Sequence, residues 1–304
     1  MKLIFRIYCF LFFVSINVFA QNSIDNFLNP TDSLLVQRRN AVVITDAVAI
    51  SGALIGLNEL WYKGYPKSNF HFINDNKEWL QMDKLGHLYS AYHIGNAGAN
   101  LLQWSGATKQ QQLLYGSTLG FVFLTAVEVL DGYSQEWGAS PGDIIANATG
   151  TGLYVSQELL WKEQRIVPKF SFHTTSYAPL RPNTLGKSIN EQVLKDYNGQ
   201  TYWLSANVHS FFPNSKISKW LNVAVGYGAE GMISGNKGIS DLNSSFEDKR
   251  HRQFYLSLDA DLTKIKTKSH FLKTIFSILN TIKIPAPSVE LTSSGNFSFH
   301  YLYF

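Results

Sequence analysis

The chain reads as an α+β protein: an N-terminal four-helix, membrane-associated bundle, then a β-rich C-terminal region with one amphipathic helix. Three observations predict this. Residues 41–160 are rich in Ala, Gly, Leu and Val, whereas the rest is richer in Lys, Ser, Asn and aromatics. The apolar runs of the first half have helical length and place small residues four apart. Beyond residue 200 the pattern shortens to a period of two.

Helix one is predicted from Ala41 to Tyr62, with an aromatic and polar loop from Lys63 to Trp79. Helices two, three and four follow at Met82–Trp104, Gln110–Leu130 and Pro141–Gln164. Pro141 suits a first helical turn and Ser140 its N-cap. A membrane crossing needs about 20 mainly apolar residues. Helix three comes closest, while helix two carries Asp83, Lys84, His87 and His93 and is too polar to face lipid all round. The pairs Gly52/Gly56, Gly116/Gly120 and Ala146/Gly150 let helix backbones approach closely, in a membrane or in a tightly packed soluble bundle. Most of the tryptophans fall near predicted helix ends, which favours a membrane interface.

Residues 166–200 read as a linker and 201–304 as the β-rich region. Thr201–Phe211, Trp220–Met232 and Arg252–Leu262 alternate as strands do, and glycines in or after the second run mark bends or bulges. Ser269–Ile282 forms an amphipathic helix that Pro285 and Pro287 end. The last stretch, Phe297–Phe304, alternates and ends in an aromatic, like the terminal strand of an outer-membrane barrel or of a soluble sheet.

At the N-terminus, Lys2 and Arg6 precede the apolar run Ile7–Phe19, and Ala20 offers a cleavage point. Residues 1–20 are therefore expected to be a signal peptide, and 21–40 a polar segment. The single cysteine, Cys9, lies inside that run. A mature chain without it would have neither disulfide nor thiol nucleophile. Net charge is only +4, mean hydropathy is −0.07, and no Lys/Arg block tracks a phosphate backbone, which argues against nucleic-acid binding. The expected location is the cell envelope, with a membrane as partner and an envelope protein or lipid as further partners.

Three polar signatures interrupt the apolar helices. Helical spacing puts Asp83 with His87, Glu128 with Asp131 and Asp143 with Asn147 on common faces. Ionisable groups in such helices need partners, water or a ligand, so the three signatures predict one shared polar centre. Asp83, His87, Glu128, Asp131 and Asp143 are candidate ligands for a divalent metal. In a catalytic reading His87 is the acid or base, and Glu128 or Asp131 orients it. The alternative is a structural network of Asp83, His87, Glu128, Asp131, Asp143 and Asn147. Glu59 is a further candidate for the centre. No serine elbow or phosphate-cradling loop is present.

The run Asp83-Lys84-Leu85-Gly86-His87 is followed by Glu128-x-x-Asp131-Gly132. A third run begins Trp137-Gly138-Ala139-Ser140-Pro141-Gly142-Asp143 and continues through Ala146, Asn147 and Gly150. Together they resemble the YfiM-like group of envelope proteins of unknown function, over about residues 40–165. Tyr202–Asn207 and Lys283–Pro287 look like the longer form found in Bacteroidota. Many relatives are called lipoproteins, and this chain departs from them in having no cysteine after its signal sequence. A weaker similarity is to VanZ-like membrane proteins, which combine Asp-Lys-x-x-His with a later Asp-x-x-x-Asn-x-x-Gly helix. The resemblance implies an envelope location and a small helical bundle, and no established reaction. It leaves two functional readings: an envelope protein without enzymatic activity, or a metal-assisted or acid–base hydrolase of envelope lipid or cell-wall material.

Overall fold

The computed structural model describes residues 23–236 and 249–303, without the side chains of Leu60 and Trp61. The expected signal peptide, Cys9 and Phe304 lie outside the described residues. The architecture is α+β, with helices N-terminal and one six-stranded antiparallel sheet C-terminal.

The first long helix, α1 (Val36–Leu57), starts five residues earlier than expected and runs into a π turn, Asn58–Tyr62. The helix α2 (Met82–Trp104) has the predicted bounds. The expected third helix is broken into a short turn Lys109–Gln111, a π turn Gln112–Gly116 and α3 (Leu119–Gly132). The helix α4 (Pro141–Leu160) starts as predicted, with the Ser140 hydroxyl accepting from the Asp143 amide at 3.2 Å, but stops short of Gln164.

Small residues decide which of these helices pack. A Cβ on Gly120 would lie 2.2 Å from the Ala91 carbonyl, and one on Gly150 2.2 Å from that of Leu88. Both α3 and α4 therefore close on α2 at backbone distance. The pair Gly52/Gly56 behaves otherwise: nothing lies within 4 Å of a Cβ at either. Only Val42 of α1 is buried, beside Leu102 and Ala107. The expected four-helix bundle is thus a three-helix packing of α2, α3 and α4, with α1 attached near one end. Both α1 and the Lys109–Gly132 segment are long and apolar enough to cross a membrane.

The strands are β1 (Ile166–Phe172), β2 (Gln200–Asn207), β3 (Leu221–Glu230), β4 (His251–Ala260), β5 (Ala286–Thr292) and β6 (Phe297–Tyr303), ordered as a meander. The expected linker thus contains β1, and the β-rich region begins at Ile166. Thr201–Phe211 is a strand only to Asn207, and a helical turn follows. The amphipathic helix is α5 (His270–Leu279). Pro287, expected only to end it, sits inside β5.

The sheet curls until side chains from distant strands meet. Tyr303 of β6 comes within 3.3 Å of the Thr201 hydroxyl on β2, and Lys169 of β1 donates to the Ala260 carbonyl on β4 at 2.7 Å. The concave face is polar around a small aromatic cluster of Trp203, Tyr255 and Tyr303. Ser205, Ala224, Ser257 and Ser288 form one inward row, and Asn207, Asn222 and Asp259 another. Trp203 fits because Gly226 opposite it has no side chain; a Cβ there would sit 2.6 Å from the indole. At the centre Asp259 accepts from Lys169 at 2.8 Å and from Ser205 at 2.6 Å, and Lys283 lies 4.0 Å away. All three charged side chains are fully buried. The convex face carries the apolar residues of the same strands.

Helix α2 joins the two halves. Tyr89 packs on Phe170 and Tyr202, and His93 Nε2 donates to the Pro168 carbonyl at 2.7 Å. Immediately before α2, Trp79, Leu80 and Gln81 all take positive φ (47°, 51° and 69°), which is strained for side-chain-bearing residues. Sheet groups hold this turn: Tyr227 donates to the Leu80 carbonyl at 2.6 Å and Arg252 to Gln81 Oε1 at 2.8 Å.

Candidate functional site

The strained turn sets Asp83, Lys84 and His87 in the first turns of α2, facing the N-terminus of α4. Lys84 Nζ lies 2.7 Å from Asp75 Oδ1, 3.1 Å from Asp143 and 4.0 Å from Asp83. Ser140, the α4 cap, also donates its hydroxyl proton to Asp75 at 2.6 Å, while its amide donates to Glu128 Oε2 at 2.8 Å. One residue thus ties the Asp75 loop, α3 and α4 together.

His87 Nδ1 is 3.0 Å from Asn147 Oδ1. An amide oxygen can only accept, so this contact assigns the proton to Nδ1 and leaves Nε2, 3.6 Å from Glu128 Oε1, free to take a proton or a cation. Asn147 Nδ2 is buried without a hydrogen-bond partner. Tyr197 donates to Asp83 at 2.7 Å, bringing the segment between β1 and β2 onto the centre.

Asp83, His87 and Asp143 therefore converge: one donor atom from each lies within 4.8 Å of the others, a group able to hold a metal ion. Glu128 adjoins His87, and Asn147 orients it. Asp131 sits to one side, accepting from Tyr62 at 2.6 Å. Glu59 is elsewhere, in an exposed pair with Lys63. Sequence reasoning missed Asp75, Tyr197 and the part played by Lys84. Lys84 lies within a quoted signature and its neighbours pointed to it; Asp75 and Tyr197 lie in irregular segments with no periodic signal.

The electrostatics are unbalanced. Carboxylates from Asp75, Asp83, Glu128, Asp131 and Asp143 share one lysine and one imidazole. Burial and then the Asp83 charge push Asp143 up to about 7, against the pull of His87 and Lys84. For His87 burial opposes the charged form, but Asp83, Asp143 and Glu128 prevail and raise it. Lys84 is likewise raised against burial by Asp75, Asp143 and Asp83. Burial would also raise Asp75, yet its bonds to Lys84 and Ser140 hold it below the usual range. Exposure is graded: the side chain of Asp83 is 31% accessible and that of Asp143 only 3%. The centre opens at Asp83 and is sealed at its α4 wall.

Residues 69–158 match a family model described as predicted periplasmic lipoprotein (DUF2279). The match spans all three polar signatures and under a third of the chain. It supports an uncharacterised periplasmic family and an exported, cell-envelope location. No curated protein and no solved structure matches.

Proposed function

We propose that this is a cell-envelope protein seated in a membrane through α1 and the Lys109–Gly132 segment, with a polar centre that fixes the helices to one another. The observation that carries this reading is α1. Of its 22 residues only Val42 is buried, and its two glycines, spaced for close helix contact, meet nothing. A helix of that length and apolarity in water would expose a large apolar surface without compensation. In hydrocarbon the same surface is matched. Alkaline extraction of membranes from cells expressing the full chain should leave it in the pellet until detergent is added. Release without detergent would sink the reading. Export by a signal peptide predicts a mature chain beginning at Gln21, which N-terminal sequencing reads directly.

A second reading has one specific observation behind it, the convergence of Asp83, His87 and Asp143. Carboxylate and imidazole donors suit a divalent cation, and a cation would offset the surplus of negative charge. A bound ion could activate water for hydrolysis of envelope lipid or cell-wall material. His87 and Glu128 would then handle the proton, with Asp131 as the outer carboxylate. Lys84 already shares Asp143, and this competition places the structural reading first. Metal analysis after dialysis against zinc or magnesium, with His87→Ala and Asp143→Ala as controls, separates the two. Stoichiometric metal lost in both variants favours the cation centre. No metal, with loss of stability alone, favours the network.

A further inference from the structure

The C-terminal sheet is built with its polarity reversed. Helix α2 and the turn before it cover its apolar side at Phe170, Tyr202 and Tyr227. The rest of that side, over β3 to β6, has no cover among the described residues. Along one register line Leu204, Val225, Leu256, Val289 and Phe299 are neighbours on β2 to β6, all on the convex face. Val225, Leu256 and Phe299 are 53%, 50% and 53% exposed. The line on one side, from Phe254 through Leu291 to Phe297, and that on the other, Val223 and Leu258, are apolar as well. A soluble one-layer sheet would turn these residues inward and the serines, asparagines and buried Lys169–Asp259 pair outward. Reversed alternation is the pattern of sheets whose outer side meets lipid.

Curvature and charge select among possible covers. The apolar side is convex, because side chains of β2 and β6 touch across the concave side. Two copies of a convex surface meet over a small area only, whereas acyl chains conform to it. The three apolar lines span four residue steps, about 13 Å at ~3.3 Å per residue. That is too short to cross a ~30 Å hydrocarbon core, so the face would lie along one leaflet with both ends of its strands at the membrane surface.

At one end of the band, the β2–β3 and β4–β5 connections carry Lys216, Lys219, Lys264, Lys266, Lys268 and Lys273. Among the described residues only Lys264 of these has an acidic partner, Glu163, and Asp261 in the same connection is buried. Trp220, Phe212 and Phe271 are exposed among them. Cations mixed with exposed aromatics suit the level of anionic headgroups.

We propose that the convex face of the β2–β6 sheet is immersed in one leaflet of a bilayer, with its lysine-rich end against anionic phosphate headgroups. This extends the membrane reading above to a second, separately testable surface. The full chain with Cys9→Ser, reconstituted into phosphatidylcholine vesicles with or without phosphatidylglycerol, would carry a fluorophore at one cysteine at a time. Val225→Cys and Leu256→Cys probe the sheet, Ile44→Cys probes α1 and Ser294→Cys probes the β5–β6 turn.

The expected result is quenching of the Val225 and Leu256 labels by lipids carrying a spin label on the acyl chain, with the Ser294 label quenched only by aqueous iodide. Iodide quenching at Val225 and Leu256 would overturn the proposal, and so would protection there from both quenchers, which means protein covers the face. If either occurs while the Ile44 label stays lipid-quenched, the helix reading survives alone; the reverse pattern removes the helix reading and leaves the sheet. Changing Lys216, Lys219, Lys266 and Lys268 together to glutamate should cut lipid quenching at Val225 at least about twofold in the anionic vesicles. The same change should have little effect in phosphatidylcholine alone. Equal quenching in both vesicle types, unchanged by charge reversal, would overturn the headgroup assignment.

Discussion

The helical unit and the sheet both hide charge and show apolar surface, but they distribute the hidden charge differently. In the helices it gathers at one end of α2, where several carboxylates crowd a single lysine and an imidazole. In the sheet it is spread along a concave wall and nearly balanced at its centre, with Asp259 between Lys169 and Lys283. A balanced buried pair is costly to break and easily left unpaired. A crowded site has charge to spare, so losing one member relieves repulsion from the others. This difference makes the sheet core the costlier of the two to break and the helical centre the more tolerant of losing one carboxylate.

The sharpest way to break the comparison is to remove one carboxylate from each. Asp259→Ala strands Lys169 in a fully buried site and should cost about 3–5 kcal/mol in chemical denaturation. Asp143→Asn, at a carboxyl already pushed up to about 7, should change stability by no more than about 1 kcal/mol. Equal losses would show that the two sites are built alike.

The second contrast is in pH. Burial depresses the Lys283 ammonium to about 8, against the pull of Asp259, and Lys169 adds to the depression. A lysine with a folded pKa below its unfolded value burdens the fold in full below pH 8. The burden fades as pH rises towards the unfolded value of about 10.4. Unfolding free energy should therefore rise across that window relative to Lys283→Met, by up to roughly 3 kcal/mol. A flat difference between the two proteins would show that Lys283 titrates normally.

The third contrast lies among the helices. Gly120→Ala forces a methyl onto the Ala91 carbonyl and should destabilise by about 1–3 kcal/mol, whereas Gly52→Ala meets nothing. The Gly52 change should stabilise α1 slightly, by roughly 0.5–1 kcal/mol from helix propensity. Thermal melts in detergent read both.

The parts of this architecture with local signals were legible. Helix α2 has its predicted bounds, and Ser140 with Pro141 marked the start of α4. Helical spacing alone placed Asp83 with His87 and Asp143 with Asn147. What escaped was set by tertiary contacts. Strand β1 carries Pro168 at its middle and a buried Lys169, so it read as linker. Strand β5 carries Pro287 and read as a helix terminator. Asp75 reaches Lys84 from an irregular loop that no periodicity describes. The alternation of β2 to β4 was visible, but alternation does not say which face is inside. Leu204 and Val225 would ordinarily be assigned to the interior, and only the curl of the sheet shows them outside.

The left-handed turn Trp79–Leu80–Gln81 has one more consequence. Such backbone costs on the order of 1 kcal/mol per residue and persists only while its surroundings insist on it. Those surroundings are Tyr227, Arg252 and the Gly235 carbonyl, all contributed by the sheet side. The latch that aims Asp83 and His87 is therefore fastened from the other half of the molecule. On the membrane reading proposed above, a lipid that displaced these sheet contacts would be felt two residues later as a rotation of the first turn of α2, and the effect of the bilayer would reach the charge cluster through the backbone.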